Sequence, residues 1–337
     1  MLEGVYREGK AILRIKTSMQ HKNPAFRDRV LFRISERKHP RVGDKYKVWP
    51  MLEFSWAIDD KLLGITHIIR GNELMIESEM ERYIWKIFKW KEPEIIHHGL
   101  LQIEGIKLSK SKSNQEVKSG HYRGWDDPRT WSLQSLKKRG IRPEAIRKFC
   151  LDFGLTRNDV TAPIEILYKE NKKFVESSNR YFFIANPIKV KIYDAADMYT
   201  ELLLHPDYPE RGRRKFYTKQ EFYISYKDFI HIKKNTGNYR FMNLFNFSSD
   251  GKNFYYISQK LDPSLNAKLI HWLPADEENN KRLIKTEVLM PDGHLAIGLC
   301  EENTRNVQED EVVQFERFGF VRLGKKSKVY NFWFAHK

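Results

Sequence analysis

The sequence predicts a multidomain chain, α/β in its first third and all-β in its second half. Three observations point there. At 337 residues the chain is too long for one small core, so two or three domains are expected. Leu62-Leu63-Gly64-Ile65-Thr66-His67-Ile68-Ile69 is nearly continuous apolar and, after Arg70-Gly71-Asn72, gives way to a helical pattern over Glu73–Phe88. A strand buried on both faces of a parallel sheet, then a helix, is half of an α/β unit. From Arg180 onward, short aromatic and β-branched runs recur between turns bearing Gly, Pro, Asn or Asp, the texture of closed β-barrels.

Charge and composition narrow the function. The chain has 60 Lys and Arg against 44 Asp and Glu, a net charge of +16. That balance favours a polyanionic partner, nucleic acid first. A hydrophobic fraction of 41% and an aromatic fraction of 13% suffice for packed cores and exclude a disordered basic tail. No apolar run approaches the length of a membrane span, and residues 1–16 lack the apolar segment of a signal peptide. Cys150 and Cys300 make no CxxC pair, zinc pattern or disulfide framework. No metal site is expected, and a reduced, cytoplasmic setting is.

In order along the chain, Lys10–Thr17 and Arg27–Ile34 read as strands separated by the turn-prone Lys22-Asn23-Pro24. Lys45–Ile58 is aromatic and branched, broken at Trp49-Pro50, and Asp59-Asp60-Lys61 reads as a turn. Leu74, Met75, Met80, Ile84 and Ile87 form the apolar stripe of the following helix, with Asn72 as its N-cap. Arg70 stands at the carboxyl edge of the strand, where ligands of open α/β sheets bind. Its guanidinium either grips a substrate carboxylate or pairs with Glu73 or Glu77. Glu92-Pro93 ends the helix, and Ile95–Leu101 leads into the stretch Gly105–Ser113. There Lys107-Leu108-Ser109-Lys110-Ser111 sets two lysines and two hydroxyls on one loop. Such a loop can close over phosphates and stabilise charge growing on them, or it is a solvated basic turn.

Further on, helices are expected at Leu133–Arg139, Pro143–Phe153 (opening on a proline) and Ala162–Ser178. Arg142, Arg147 and Lys148 either face phosphates or belong to a solvated helix face. Strands are expected at residues 181–184, 188–192, 222–226, 229–232, 239–247, 253–259, 269–272, 282–289, 312–315, 319–323 and 329–334, with a basic loop over 205–215. RNA bases exposed in a loop are held by stacking on aromatics, with Lys and Arg on the phosphates. Candidates for that work are Arg211, Arg213, Arg214, Tyr239, Arg240 and Trp272. Phe245, Phe315 and Phe320 read as core.

Several separate segments carry a family resemblance. Lys107–Ser111 is similar to the KMSKS loop of class I aminoacyl-tRNA synthetases, with Leu108 in place of Met. Trp49-Pro50-Met51-Leu52-Glu53-Phe54, Asp60 and Gly64–Glu73 resemble the catalytic core of the archaeal and eukaryotic glutamyl-tRNA synthetases. Gly124–Thr130 resembles that family's passage into its stem-contact region; His205–Lys215 and Val313–Phe320 resemble its anticodon-binding region. The resemblance implies the second half of a class I Rossmann-type catalytic domain over residues 1–118 and a helical stem-contact region over 119–180. It implies two anticodon-binding β-barrels over 181–337, the chain leaving one barrel to build the second and then returning.

It also implies an activity. ATP, entering with Mg2+ as a substrate, and glutamate would form glutamyl-adenylate and pyrophosphate, and the glutamyl group would pass to the 3′ end of tRNA-Glu, with tRNA-Gln left open. Lys107, Ser109 and Lys110 would act on the phosphates, and Leu100, Leu101, Leu108 and Ser111 would complete the ATP site. Leu52, Asp60, His67 and Arg70 would shape the amino-acid pocket, Arg70 selecting the acid; His67 is equally a strand histidine. Glutaminyl-tRNA synthetases normally carry Tyr at the place of Leu52 and a small neutral residue at the place of Arg70, which makes them the weaker alternative. His97-His98-Gly99-Leu100 lies too close to the loop to be the family's HIGH motif, and that motif is found nowhere else in the sequence. The resemblance therefore implies a C-terminal portion, either monomeric or associated with the HIGH-bearing half. A tRNA-binding module without chemistry is the alternative.

Overall fold

The computed structural model describes residues 1–106 and 108–337, which divide into two units. The first holds Met1–Gln102 with Phe153–Ala162, and the second Ile103–Asp152 with Pro163–Lys337.

The first unit opens with an antiparallel sheet of β1 (Ile12–Arg14), β2 (Val30–Ile34) and β3 (Val48–Pro50). Pro50 ends β3, and helix α1 (Leu52–Leu62) begins two residues later. This helix replaces the aromatic stretch and the Asp59-Asp60-Lys61 turn read from sequence. Phe54 and Ala57, three apart, bring one face of α1 onto the core of Ile68, Met80, Ile84 and Trp85. The Trp85 indole N–H donates to the Ala57 carbonyl at 2.8 Å.

Strand β4 (His67–Gly71) pairs in parallel with β5 (Glu94–His98), with α2 (Met75–Phe88) as the crossover between them. The expected parallel α/β unit is present. Burial on both faces is not, because Ile68 is buried while Ile69 is 57% exposed. Asn72 does not cap α2; it lies in a short 3-10 turn and its amide donates to the Arg157 carbonyl at 2.6 Å. Two further short strands, β6 (Leu101–Ile103) and β7 (Val160–Ala162), pair with each other.

In the second unit, α3 (Lys110–Lys118) follows the Lys/Ser loop. Helices α4 (Leu133–Arg139) and α5 (Pro143–Phe153) have the expected bounds, and α6 (Ile164–Val175) is shorter at both ends than expected. Ser132 caps α4, accepting from the Ser135 amide at 3.0 Å. Gly140 ends it at φ +87°, and a Cβ there would sit 2.8 Å from Val312 Cγ2. The Arg139 guanidinium donates to the Phe334 and Ala335 carbonyls at 3.1 and 2.7 Å, tying α4 to the last strand of the chain.

The remaining strands are β8 (Arg180–Tyr181), β9 (Phe183–Ala185), β10 (Pro187–Tyr193), β11 (Met198–Leu203), β12 (Arg213–Thr218), β13 (Glu221–Ser225), β14 (Gly237–Phe241), β15 (Asn246–Ser249), β16 (Phe254–Ser258), β17 (Lys268–Ile270), β18 (Leu273–Pro274), β19 (Ile284–Leu289), β20 (Leu295–Cys300), β21 (Val312–Phe315), β22 (Gly319–Lys325) and β23 (Tyr330–His336), with helices α7 (Tyr226–Lys234) and α8 (Glu277–Asn280) between. Residues 229–232, expected as a strand, lie inside α7. The Ser225 hydroxyl caps that helix on the Asp228 amide, and Ile232 is its buried residue.

Two seven-stranded mixed sheets result, ordered β17-β14-β15-β16-β10-β13-β18 and β8-β21-β22-β23-β19-β20-β9. The chain starts the second sheet with β8 and β9, leaves to build the first, and returns at β19, as the resemblance implies. Neither sheet closes by hydrogen bonds. Its two edge strands are instead consecutive pieces of chain, β8 and β9 joined by Phe182, and β17 and β18 joined by His271-Trp272. Each sheet thus bends round to a single kinked segment that serves both edges. One core centres on Phe222, Phe241, Phe245 and Trp272, the other on Phe315, Val321, Leu323 and Phe332.

Candidate active site and RNA-binding surfaces

In the first unit, β4 and α1 bring Arg70 and Asp60 together, with Arg70 Nη2 4.0 Å from Asp60 Oδ2. The partner of Arg70 is neither Glu73 nor Glu77. Its Nη1 and Nη2 donate end-on to the two carboxylate oxygens of Glu81, at 2.6 and 3.1 Å, and Glu81 is fully buried. The guanidinium carbon stands 5.1 Å from the centroid of the Trp56 ring. Burial lifts both the Glu81 and Asp60 carboxyls above their ordinary range, against the pull of Arg70. An arginine has five N–H donors, and Glu81 takes two of them.

His67 is not part of this cluster. It lies three residues before Arg70 on a strand, so the two side chains leave opposite faces. It is largely exposed and meets Thr66 Oγ1 at 3.0 Å and Glu94 Oε2 at 3.3 Å. The histidine on the Arg70 side is His97, its neighbour in the parallel register. Ser78 Oγ donates to the Leu74 carbonyl at 3.0 Å and so accepts from His97 Nε2, also at 3.0 Å. Burial and the Arg70 charge push the His97 pKa down, keeping the ring neutral. Leu52 opens α1 half exposed. The Leu100 backbone is fixed by the Asp159 carboxylate on its N–H at 2.8 Å and by the Val160 N–H on its carbonyl at 2.9 Å, and Leu101 opens β6.

In the second unit, Gly105, at φ +71°, turns the chain between the bridged residues Ile103 and Ile106. Lys107 lies outside the described residues. Leu108 is half exposed, and Ser109 is the N-cap of α3, its hydroxyl accepting from the Lys112 amide at 3.4 Å. Lys110, Ser111 and Lys112 form the first turn of α3, which carries no acidic residue. Cations there oppose the helix dipole, so this end of α3 is electropositive without compensation and suited to an anion.

Of the basic and aromatic residues expected to meet RNA, Arg142, Arg147, Lys148, Arg211 and Arg213 are exposed, and Arg214, Tyr239, Arg240 and Trp272 are not. Arg142 and Arg147 lie on the surface, Arg142 3.6 Å from Glu144. Arg211 is exposed with its guanidinium 4.0 Å from the centroid of the Tyr208 ring. Arg213 is exposed on β12, whereas Arg214 points inward and is 2% exposed. Strand alternation decides between them: Arg213, Lys215 and Tyr217 line the outer face, and Arg214, Phe216 and Thr218 the inner one. The Arg214 charge is taken up by Glu301 at 2.9 Å and Glu316 at 2.8 Å. Tyr239 is buried and donates to the Asn235 carbonyl at 2.6 Å. Arg240 is buried on Asn246 Oδ1 and the carbonyls of Gln259 and Lys260. Trp272 is fully buried and donates to the Met242 carbonyl. These placements correct the surface roles expected of Arg214, Tyr239, Arg240 and Trp272, because each side chain is spent on internal bonds.

The structure adds residues that the sequence did not single out. A cavity of about 560 Å³ lies between the two seven-stranded sheets, with Phe318 and Phe334 on one side and Lys268 and His271 on the other. Arg317 joins its lining from the turn between β21 and β22, at φ +57°, 3.6 Å from Asp228. His271 Nε2 makes no hydrogen bond among the described residues, and burial with the nearby Arg317 and Arg214 charges pushes its pKa down to about 3. The signal available for Arg317 was an arginine in a hairpin turn where Gly or Asn is usual. On the outer face, Tyr199 meets Tyr217 across the β11–β12 pair, with ring centroids 4.8 Å apart, planes tilted by 45° and both rings exposed.

Comparison with known proteins matches the whole length of the chain to one family. The catalytic-domain model of the class I tRNA synthetases (E and Q) matches residues 1–178, and two anti-codon binding domain models of the same group match residues 178–260 and 269–324. The chain is 44% identical to the glutamate–tRNA ligase of Pyrococcus furiosus, over 96% of this chain and 58% of that protein. It is 41% identical to the enzyme of that name from Thermococcus kodakarensis over 100% and 60%, and 40% identical to that of Methanocaldococcus jannaschii over 93% and 56%. The chain thus spans somewhat less than two thirds of the length of these relatives.

Proposed function

The chain belongs to the class I tRNA synthetases of the E and Q group, with catalytic and anticodon-binding domains, and from that premise we propose that it serves glutamate–tRNA ligation. In that reaction the glutamate α-carboxylate attacks ATP, pyrophosphate leaves, and the glutamyl group of the adenylate passes to the 3′ end of tRNA-Glu. The observation that carries this reading is the identity with proteins named glutamate–tRNA ligase along nearly the whole chain.

In this proposal residues 1–118 form the distal half of a Rossmann-type catalytic domain, 119–180 the stem-contact region and 181–337 the anticodon-binding pair of barrels. ATP arrives with its Mg2+ as a substrate. Ser109, Lys110 and Ser111 gather its phosphates on the electropositive end of α3, Lys107 acts on the phosphates as the resemblance implies, and Leu100, Leu101 and Leu108 line the nucleotide. Lysine suits a mobile loop because its ammonium is a point charge that tolerates movement. Asp60, Leu52 and Arg70 shape the amino-acid pocket. Arg70 takes the substrate side-chain carboxylate through the donors that Glu81 leaves unused, which favours glutamate over glutamine. Arg142, Arg147, Arg211 and Arg213 contact tRNA phosphates. The cavity bounded by Phe318, His271 and Arg317 has the walls and polar edge that an unstacked anticodon base requires.

The deciding experiment is ATP–pyrophosphate exchange by this chain with glutamate and tRNA-Glu, with tRNA binding followed in the same samples. Glutamate-dependent exchange that falls at least tenfold in Lys110→Ala, roughly 1.4 kcal/mol of transition-state stabilisation, supports the reading. Binding without exchange reduces the chain to a tRNA-binding module. Exchange with glutamine in place of glutamate overturns the role given to Arg70.

A further inference from the structure

One cavity of the second unit is used by nothing described so far. It measures about 580 Å³ and lies where β19 and β23, which run in parallel, both begin. The cavity bounded by Phe318, His271 and Arg317 also takes Met290, Phe334 and Lys337 into its lining, where the same two strands end. The six residues of β19 separate the two, roughly 20 Å of extended chain.

Three segments distant in sequence build this second hollow. Leu283 and Lys285 come from the start of β19, Arg305 from the 3-10 turn Glu302–Asn306, and Lys328 and Tyr330 from the hairpin between β22 and β23. The Lys326 ammonium donates to the Arg305 carbonyl at 2.9 Å and holds the hairpin to the turn. Lys285, Arg305 and Lys328 are exposed and form no ion pair among the described residues, and no carboxylate of those residues lines the cavity. Arg305 spends one N–H on the Arg282 carbonyl at 3.3 Å and keeps the other four of its five donors. Cations that converge without a counter-charge repel each other, so an anion placed among them is favoured.

The walls narrow the choice of anion. Tyr330 is half-buried and gives the cavity an aromatic side, and Leu283 gives it an aliphatic one. Inorganic phosphate would use the cations and leave both walls idle. An RNA strand would need the cations to continue as a track, and here carboxylates bound them. Glu302, on the same turn as Arg305, stands 3.7 Å from Arg282, and Glu309 accepts from the Lys326 N–H at 2.8 Å. A compact ligand with several phosphates and one planar ring uses the charges, the walls and the limited size together. The volume lies within the roughly 300–1,000 Å³ of small-ligand sites.

We propose that this cavity binds a nucleoside triphosphate, its phosphates on Lys285, Arg305 and Lys328 and its base against Tyr330. The site is separate from the ATP given to the Lys/Ser loop, and it does not rest on the chain serving glutamate–tRNA ligation.

The test is lysine footprinting on the whole chain: brief acetylation, digestion and peptide mass spectrometry, with ATP or GTP as the added probe. Either nucleotide is expected to slow acetylation of Lys285 and Lys328 about threefold, as a ligand at twice its Kd would. Lys281, exposed on α8, should react as before. Arg305→Ala keeps both reporter lysines and removes an exposed side chain. It is expected to raise the nucleotide concentration for half protection more than about tenfold, as loss of a hydrogen bond from a charged group does. Unchanged reactivity of both lysines with ATP and with GTP overturns the proposal, and so does protection that survives Arg305→Ala undiminished. Equal protection by inorganic tripolyphosphate overturns it as well, since charge alone then suffices. Protection by tRNA without protection by either nucleotide makes the hollow part of an RNA-binding surface instead.

Discussion

Arg70 shows how one side chain can hold two obligations. Its end-on pairing with Glu81 places a carboxylate in a fully buried position, where it is tolerable only while the guanidinium is present. Arg70→Cys is therefore expected to cost about 3–5 kcal/mol of stability, apart from any effect on glutamate. Adding Glu81→Gln should recover most of that loss by removing the stranded charge. Denaturant unfolding of the single and double variants checks this, and a single variant as stable as wild type would mean that Glu81 finds another partner. Strand periodicity was legible at this scale. The three-residue spacing of His67 and Arg70 already sets them on opposite faces, and the adjacency of Arg213 and Arg214 already sends one of them inward. The partner of Arg70 was not legible, because Glu81 lies beyond the first turn of α2, where only the packing of that helix on β4 brings it close.

Among the elements, those with local punctuation were readable and those without it were not. Ser132, Gly140 and Pro143 mark the ends of α4 and the start of α5, and both helices have the expected bounds. In α7, Phe229-Ile230-His231-Ile232 imitates a strand by composition, while Phe229 and Ile232 stand at helical spacing and the true start signal is Ser225. β12 was hidden by its charges, because its outward positions are Arg213, Lys215 and Tyr217 in a segment that reads as a basic loop. The cap of α3 gives a prediction for the loop it terminates. Ser109→Ala removes a hydroxyl from the Lys112 amide and is expected to cost the first turn about 1 kcal/mol. Hydrogen exchange at Lys112 and Ser113 should quicken accordingly, and unchanged exchange would show that water already serves that amide.

At the scale of the whole chain, a net charge of +16 announced a polyanionic partner, but not which cations are free to meet it. Arg214 and Arg240 were indistinguishable from surface arginines until later parts of the chain closed over them; Glu301 and Glu316 reach Arg214 from just past the ends of β20 and β21, strands built after the nested sheet is complete. His271 carries the pH dependence of that assembly. Folded, it is held neutral with its pKa near 3, against 6.5 when exposed. Its contribution to stability is complete above pH 6.5. As the pH falls below that value the unfolded chain takes up a proton that the folded one refuses, and stability declines by about 1.4 kcal/mol per pH unit. His271→Gln should flatten this part of the profile in unfolding experiments between pH 7.5 and 5.5 (about one unit below the ordinary histidine pKa), and an unchanged profile would place the titration elsewhere.

The kinked segments that serve both edges of each sheet set an order of assembly. β8 and β9 leave the ribosome before any strand that pairs with them, for their partners β21 and β20 come only after residues 187–274 have been made. The nested sheet, whose strands are all synthesised within that interval, can finish first and then stand as the body on which the returning chain winds. Until β20 and β21 arrive, the Tyr181-Phe182-Phe183 segment stays exposed on both its edges, and that interval is when the nascent protein is most open to capture by a chaperone or to pairing with a second copy of itself.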